Sequence, residues 1–242
     1  WCIELGRIDI MVEVGLLACF QANPREGHLE QLFHLFAYLK KYNRSALVFD
    51  PTEPFLDESV FAECAWKEYY PGAAEAIPPN MPEPRGKAVV TTCFVDADHA
   101  GCRLTRRSHS GVLIFVNRAP IIWYSKRQAT VESSTFGSES VAMRVAIDLI
   151  EALRYKLRMM GVPIDGATKV YCDNESVVKS TTRPESTLKK KHNAINYHRA
   201  REAQAAGHIR VAWIEGKENL ADVLTKVLVG ERRRYLLSRI LW

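Results

Sequence analysis

The run Val89–Gly101 constrains this chain more than any other stretch. Val89, Thr91, Thr92, Phe94 and Val95 are β-branched or aromatic, and the run closes on Asp96-Ala97-Asp98-His99-Ala100-Gly101. That pattern predicts a strand whose far end carries an acid. In open α/β sheets ligands bind beyond the carboxyl ends of the strands. Asp96 therefore becomes informative if the rest of the chain brings more carboxylates to the same place.

Four more strands are expected: Ser110–Val116, Ile121–Ser125, Thr168–Cys172 and His208–Ile214. The first three, counting Val89 onward, are joined by short turns and form an antiparallel meander. Trp123 and Tyr124 fall on opposite faces of the third. Ser133-Ser134-Thr135 supplies caps for a long helix whose stripe contains Glu139, Ala142, Met143, Ala146, Leu149, Ile150, Leu153 and Leu157. A carboxylate on that stripe is costly unless it is paired or metal-bound. The fourth strand also ends in an acid, Asp173, followed by Asn174. Further helices are predicted at 175–180 and 187–206, and a short one at 218–226 sets Asn219 and Asp222 on one face. Right-handed crossovers place the fourth strand parallel to the first, so Asp96 and Asp173 point the same way.

Asp96, Glu139, Asp173 and Asp222 thus share a destination. Like charges so close need cations between them. Oxygen ligands without His or Cys select Mg²⁺, with Mn²⁺ able to substitute. Two such ions about 3.5–4 Å apart suit in-line phosphoryl transfer. Asp98 is read as a loop acid, and Asp148 as a solvated residue on the outer side of the long helix.

Before this region, residues 4–20 and 24–41 carry helical periodicity, the second opening on Asn23-Pro24 and closing on Lys40-Lys41. Each has one apolar face that needs a partner surface. Of the chain's 11 prolines, Pro51, Pro54, Pro71, Pro78, Pro79, Pro82 and Pro84 crowd into 51–87, which reads as a linker with a short helix at 57–68. The organisation expected is a helical segment 1–50, a linker 51–87, a domain 88–228 and a basic and apolar tail helix 229–242. The six cysteines are scattered, without a C-x-x-C pair, which argues against a zinc site or a disulfide framework. No apolar run is long enough to span a membrane. No leader precedes the helical segment, and the chain, which starts at Trp1, reads as a piece of a longer intracellular polypeptide. A formal charge of +5 mildly favours an anionic partner.

Val95-Asp96-Ala97-Asp98-His99-Ala100-Gly101, Thr105-Arg106-Arg107-Ser108, Ser134-Thr135-Phe136-Gly137-Ser138-Glu139, Cys172-Asp173-Asn174 and Leu220-Ala221-Asp222-Val223-Leu224-Thr225-Lys226 resemble, in this order, the ribonuclease H domain of Ty/copia-type retrotransposon Pol polyproteins. Arg7-Ile8-Asp9-Ile10, Pro24, His28 and Tyr38-Leu39-Lys40 resemble the segment closing the reverse transcriptase of those polyproteins. The resemblance implies a ribonuclease H-like α/β fold with a five-stranded mixed sheet, and two-metal hydrolysis of the RNA strand of RNA·DNA hybrids. It implies Asp96, Glu139, Asp173 and Asp222 as catalytic metal ligands and an upstream reverse transcriptase as partner. His99 and Ser140 stand where the family commonly has aromatics. Glu215-Gly216-Lys217-Glu218 lacks the His that related enzymes carry before the last acid. Arg103, Arg106, Arg107, Lys189, Lys190, Lys191, His192 and His198 are candidate nucleic-acid contacts. Ser134, Asn174 and Asn219 are candidates for orienting the acids. Trp123, Tyr171 and Trp213 are expected in the core. Two other readings stay open: a non-catalytic hybrid-binding connector or decayed remnant, and another nuclease such as an integrase or junction resolvase.

Overall fold

The computed structural model describes residues 2–188 and 190–241. Five strands form one sheet: β1 Thr91–Asp98, β2 His109–Val116, β3 Ala119–Arg127, β4 Thr168–Cys172 and β5 Ile209–Trp213. Their order is β3-β2-β1-β4-β5, with β1, β2 and β3 antiparallel and β4 and β5 parallel to β1. The helices are α1 Met11–Ala18, α2 Glu26–Lys41, α3 Thr135–Met159, α4 Glu175–Thr182, α5 Ala194–Ala205 and α6 Gly230–Leu237. The order and directions of the strands are those of the ribonuclease H-like fold, as the resemblance implied.

The period-two alternation of the strands separates two cores. Cys93, Val95, Ala97, Val112, Ile114, Val170, Cys172, Ile209 and Val211 face Ala142, Met143, Ala146, Ile147 and Ile150 of α3. On the other face, Leu113 and Phe115 pack against Leu220, Val223, Leu224, Leu236, Leu237 and Ile240, together with the fully buried Ile8. The tail is therefore part of the second core, as its apolar residues predict. Trp123 and Tyr124 go to opposite cores.

Several local expectations are corrected. The N-terminal helix does not begin at residue 4: Gly6 has φ +107°, outside helical space, and the helical path opens with a 3-10 turn at Ile8–Ile10. The helix expected over 187–206 begins at Ala194 after a 3-10 turn at Lys191–Asn193, and the stretch before it turns the Arg183, Pro184 and Ser186 carbonyls onto the Arg201 guanidinium. The last short helix is a pair of 3-10 turns, Gly216–Glu218 and Leu220–Leu224. Residues 57–68 hold only the turns Glu58–Val60 and Trp66–Glu68. Several points along 51–87 are fastened to the sheet domain. Phe61 and Trp66 are buried, Glu75 pairs with Arg154 and Arg158 at 2.8 and 2.5 Å, and Arg210 donates to the Phe61 carbonyl. The two guanidinium groups hold the Glu75 carboxyl down at about 2, against burial.

One close approach sets up the site. Gly111 lies opposite Asp96 in the β1–β2 register. A Cβ on Gly111 would stand 2.6 Å from Thr225 Cγ2 and 3.0 Å from the Ala221 carbonyl oxygen. Only a bare backbone lets the Leu220–Leu224 turn lie on the sheet. Gly111→Ala is expected to lower stability by about 1–3 kcal/mol, read from the urea midpoint, and to displace Asp222 from Asp96.

Candidate active site

Asp96 is on β1, one residue beyond the pair Val95↔Cys172 in the parallel β1–β4 register. Asp173 follows Cys172 directly. The two acids therefore lie level on neighbouring strands. α3 brings Glu139 from one face of the sheet, and the Leu220–Leu224 turn brings Asp222 from the other. Carboxylate oxygens of Asp96, Asp173 and Asp222 lie within 4.8 Å of one another, and Glu139 approaches Asp173 and Cys172 within the same limit. Asp98, the last residue of β1, is not in either group; its carboxyl lies against Gly101.

The residues expected to orient the acids act as caps. Ser134 accepts from the Gly137 amide at 3.2 Å and starts α3 one turn before Glu139. Asn174 accepts from Ser176 and Val177 at the start of α4. Asn219 accepts from the Ala221 amide at 3.1 Å and donates to the Val95 carbonyl at 2.9 Å, tying the turn that bears Asp222 to the strand that bears Asp96.

Burial dominates the electrostatics. Asp96 is 1% exposed, Asp222 2% and Glu139 6%. Burial raises the Asp96 carboxyl to about 7, with Lys226 opposing and Asp222 reinforcing the rise. Glu139 is pushed well up, first by burial and then by Asp96 and Asp173. Asp173 is raised by burial as well. Glu139 Oε2 is buried and has no hydrogen-bond partner among the described residues. An orphaned carboxylate oxygen beside two further acids, all hard oxygen donors, fits a divalent cation such as Mg²⁺.

Two cations of the chain already reach this cluster. Lys226 Nζ lies 2.8 Å from Asp222 Oδ1 and 3.3 Å from Asp96 Oδ2. Arg232, on α6, donates to Asp222 Oδ2 and, at 2.8 Å, to the Gly216 carbonyl. Thr225 Oγ1 donates to Asp96. The i, i+4 spacing of Asp222 and Lys226 was readable from the sequence; the return of Arg232 to Asp222 was not.

Among the described residues, the candidate nucleic-acid contacts make no ion pair or hydrogen bond with the four acids. Arg103 and Arg106 are exposed and Arg107 half-buried on the loop after β1. Lys190, Lys191 and His192 lie before α5, with His192 3.8 Å from Glu132; Lys189 lies outside the described residues. His198 Nδ1 is 3.0 Å from the Tyr70 hydroxyl. His99 meets Ser138 at 3.3 Å, and the buried Ser140 hydroxyl donates to the Phe136 carbonyl. Asp148 is exposed on the outer side of α3, as expected, and there pairs with Arg199 at 3.1 Å. Tyr171 is half-buried against Phe94. Trp213 is corrected from core to surface: it is 48% exposed at the end of β5, where its indole N–H donates to the Asp173 carbonyl. Its period-two position is that of the buried Ile209 and Val211, but Trp213 is the last residue of β5.

No protein-family model matches the chain. It is 28% identical over 226 residues to the retrovirus-related Pol polyprotein from transposon RE1 of Arabidopsis thaliana, covering 93% of this chain and 13% of that protein. It is 27% identical over 222 residues to that from transposon TNT 1-94 of Nicotiana tabacum, covering 92% of this chain and 14% of that protein. The homologues of this chain are thus retrovirus-related Pol polyproteins of plant transposons, and it spans about an eighth of their length. Among solved structures, the N-terminal RNase H domain of a Mycobacterium tuberculosis protein aligns with TM-score 0.44 and 13% identity over 62% of this chain and 98% of that one. LC11-RNase H1 in complex with RNA/DNA hybrid gives TM-score 0.44 and 17% identity over 56% and 93%. The fold itself is assigned on strand order and direction. No helix among the described residues is long and apolar enough to cross a membrane.

Proposed function

We propose that the chain is a divalent-metal-dependent ribonuclease H that hydrolyses the RNA strand of an RNA·DNA hybrid during retrotransposon reverse transcription inside the cell. The observation that carries this is the convergence of Asp96, Asp173 and Asp222 within 4.8 Å, with Glu139 adjoining and one of its oxygens orphaned. Asp96, Glu139, Asp173 and Asp222 would hold two Mg²⁺ ions, or Mn²⁺ in their place. When bound, such ions neutralise the phosphate charge and favour ionisation of the attacking water. Water attacks the phosphorus in line and leaves a 5′-phosphate and a 3′-hydroxyl.

The chain's own residues do the rest. Asn219 and Thr225 hold the Asp222 turn against Asp96. Asp173, less buried than the other three, stands on the approach side, next to exposed Trp213. Arg103, Arg106, Arg107, Lys189, Lys190, Lys191, His192 and His198 would contact the hybrid backbone. Domain boundaries at 50, 87 and 228 are proposed with this reading. Residues 1–50 are read as the end of a reverse transcriptase, whose body would cover the exposed Leu29, Phe33 and Phe36 of α2.

The full chain with Mg²⁺ is expected to cut the RNA strand of a labelled hybrid, to spare duplex DNA and to stop on addition of a chelator. Asp96→Asn and Asp173→Asn should each abolish the cut. Hybrid binding without cleavage in either Mg²⁺ or Mn²⁺ would sink the enzymatic reading and leave a hybrid-binding connector.

A further inference from the structure

The four acids are not equally free. Both oxygens of Asp222 are engaged by cations of the chain, Oδ1 by Lys226 and Oδ2 by Arg232. Asp96 shares the same ammonium, with Lys226 Nζ 3.4 Å from its Oδ1 and 3.3 Å from its Oδ2, and takes the Thr225 hydroxyl as well. Glu139 and Asp173 have no ion pair among the described residues, and Glu139 Oε2 has no partner of any kind. Counted in the ionised form that binds a cation, four carboxylates against two cations of the chain leave a formal charge of −2, which one divalent ion cancels.

We infer that Lys226, backed by Arg232, is a built-in cation that holds the Asp96–Asp222 half of the site, so that the first divalent ion enters at Glu139 and Asp173 and a second enters only by displacing the ammonium. The inference rests on the proposed metal site and adds an order of loading and a residue that sets it. Lys226 suits displacement. It is a point charge on a flexible stem, its side chain is 37% exposed, and it can swing toward solvent without unfolding the Leu220–Leu224 turn. Arg232 is anchored a second time, on the Gly216 carbonyl, and stays. Lys226 is thus a positioning residue that separates the affinities of two ions.

The test is a Mn²⁺ titration of the full chain without nucleic acid, with free Mn²⁺ followed by electron paramagnetic resonance. The wild type is expected to show one strong site and a second at least about tenfold weaker. Lys226→Met should tighten the weaker site about tenfold, and Lys226→Arg should leave the separation in place. Two equal sites in the wild type, or a weaker site unmoved by Lys226→Met, would overturn the inference. Circular dichroism checks that the variant folds. If it does not, Arg232→Met, which touches Asp222 but not Asp96, serves for the same measurement with a smaller shift expected. Failure here is separate from failure of the proposed activity. A chain that loads Mn²⁺ in this order yet leaves hybrid intact loses only the activity, and one that cuts hybrid with two equal sites loses only the role of Lys226.

Discussion

Glu139→Gln is expected to remove hybrid cleavage while making the metal-free protein more stable. Glu139 is buried on α3, with Asp96 and Asp173 as charged neighbours and one oxygen without a partner. Its folded-state pKa lies above the ordinary value of 4.5. The folded protein therefore keeps a proton that the unfolded chain has released, and stability falls as pH rises above that value. Gln carries no charge and removes this slope. With a chelator present, the gain should be absent below about pH 4 and reach roughly 1–3 kcal/mol at pH 8, read from urea midpoints across the range. Mg²⁺ should shrink it, because the ion compensates the wild-type carboxylate and binds the variant less well. Cleavage should fall by at least roughly 10²–10³-fold, as loss of a group stabilising transition-state charge does elsewhere. A variant less stable than wild type at pH 8 in chelator would show that Glu139 is held by a partner instead of waiting for one.

Arg201→Ala is expected to be the most destabilising single change away from the acids. Arg201 is buried on α5, and no carboxylate pairs with it among the described residues. Its guanidinium donates to the carbonyls of Ser180, Arg183 and Ser186 at 3.1, 3.2 and 3.3 Å, to that of Pro184, and to the Tyr197 hydroxyl at 2.7 Å. It also lies over the rings of Trp66 and Tyr197, at 5.0 and 4.7 Å from their centroids. One side chain thus ties the loop after α4 to α5 and to the 51–87 segment. Truncation takes the guanidinium donor from the Ser180 and Pro184 carbonyls and leaves two rings without a filling, a loss of about 3 kcal/mol or more, while Ser186 keeps the Tyr197 hydroxyl and Arg183 keeps the Ser186 amide. Lys should rescue little, because a single ammonium cannot serve a planar fork of acceptors. The denaturation midpoint gives the loss, and faster trypsin cleavage at Lys190 and Lys191 would place it in the loop. An unchanged midpoint would mean that solvent satisfies those carbonyls equally well.

The strands and the long helix were legible because their signals are local. Alternation in Thr91–Asp98 and a 3.6-residue stripe through Glu139, Ala142, Met143 and Ala146 can be read without knowing what they pack against. The short pieces were not. Trp66–Glu68, Lys191–Asn193 and Leu220–Leu224 are too short to carry a period, and each takes its form from a distant contact: Trp66 from Arg201, the loop before Lys191 from the same guanidinium, and Leu220–Leu224 from the gap that Gly111 leaves.

The four acids divide along the same line. The sequence by itself determined that Asp96 lies near the end of one strand and Asp173 just past another, that Glu139 sits on a buried stripe and that Asp222 belongs to a late short helical piece. Only the tertiary structure decided that they meet. The Val95↔Cys172 register levels two of them, and the Gly111 gap admits the third. Arg232 reaches Asp222 because the tail folds back into the second core. Periodicity is written within a few neighbouring residues, whereas register and close approach join segments distant in the chain, as Val95 with Cys172 and Gly111 with Thr225.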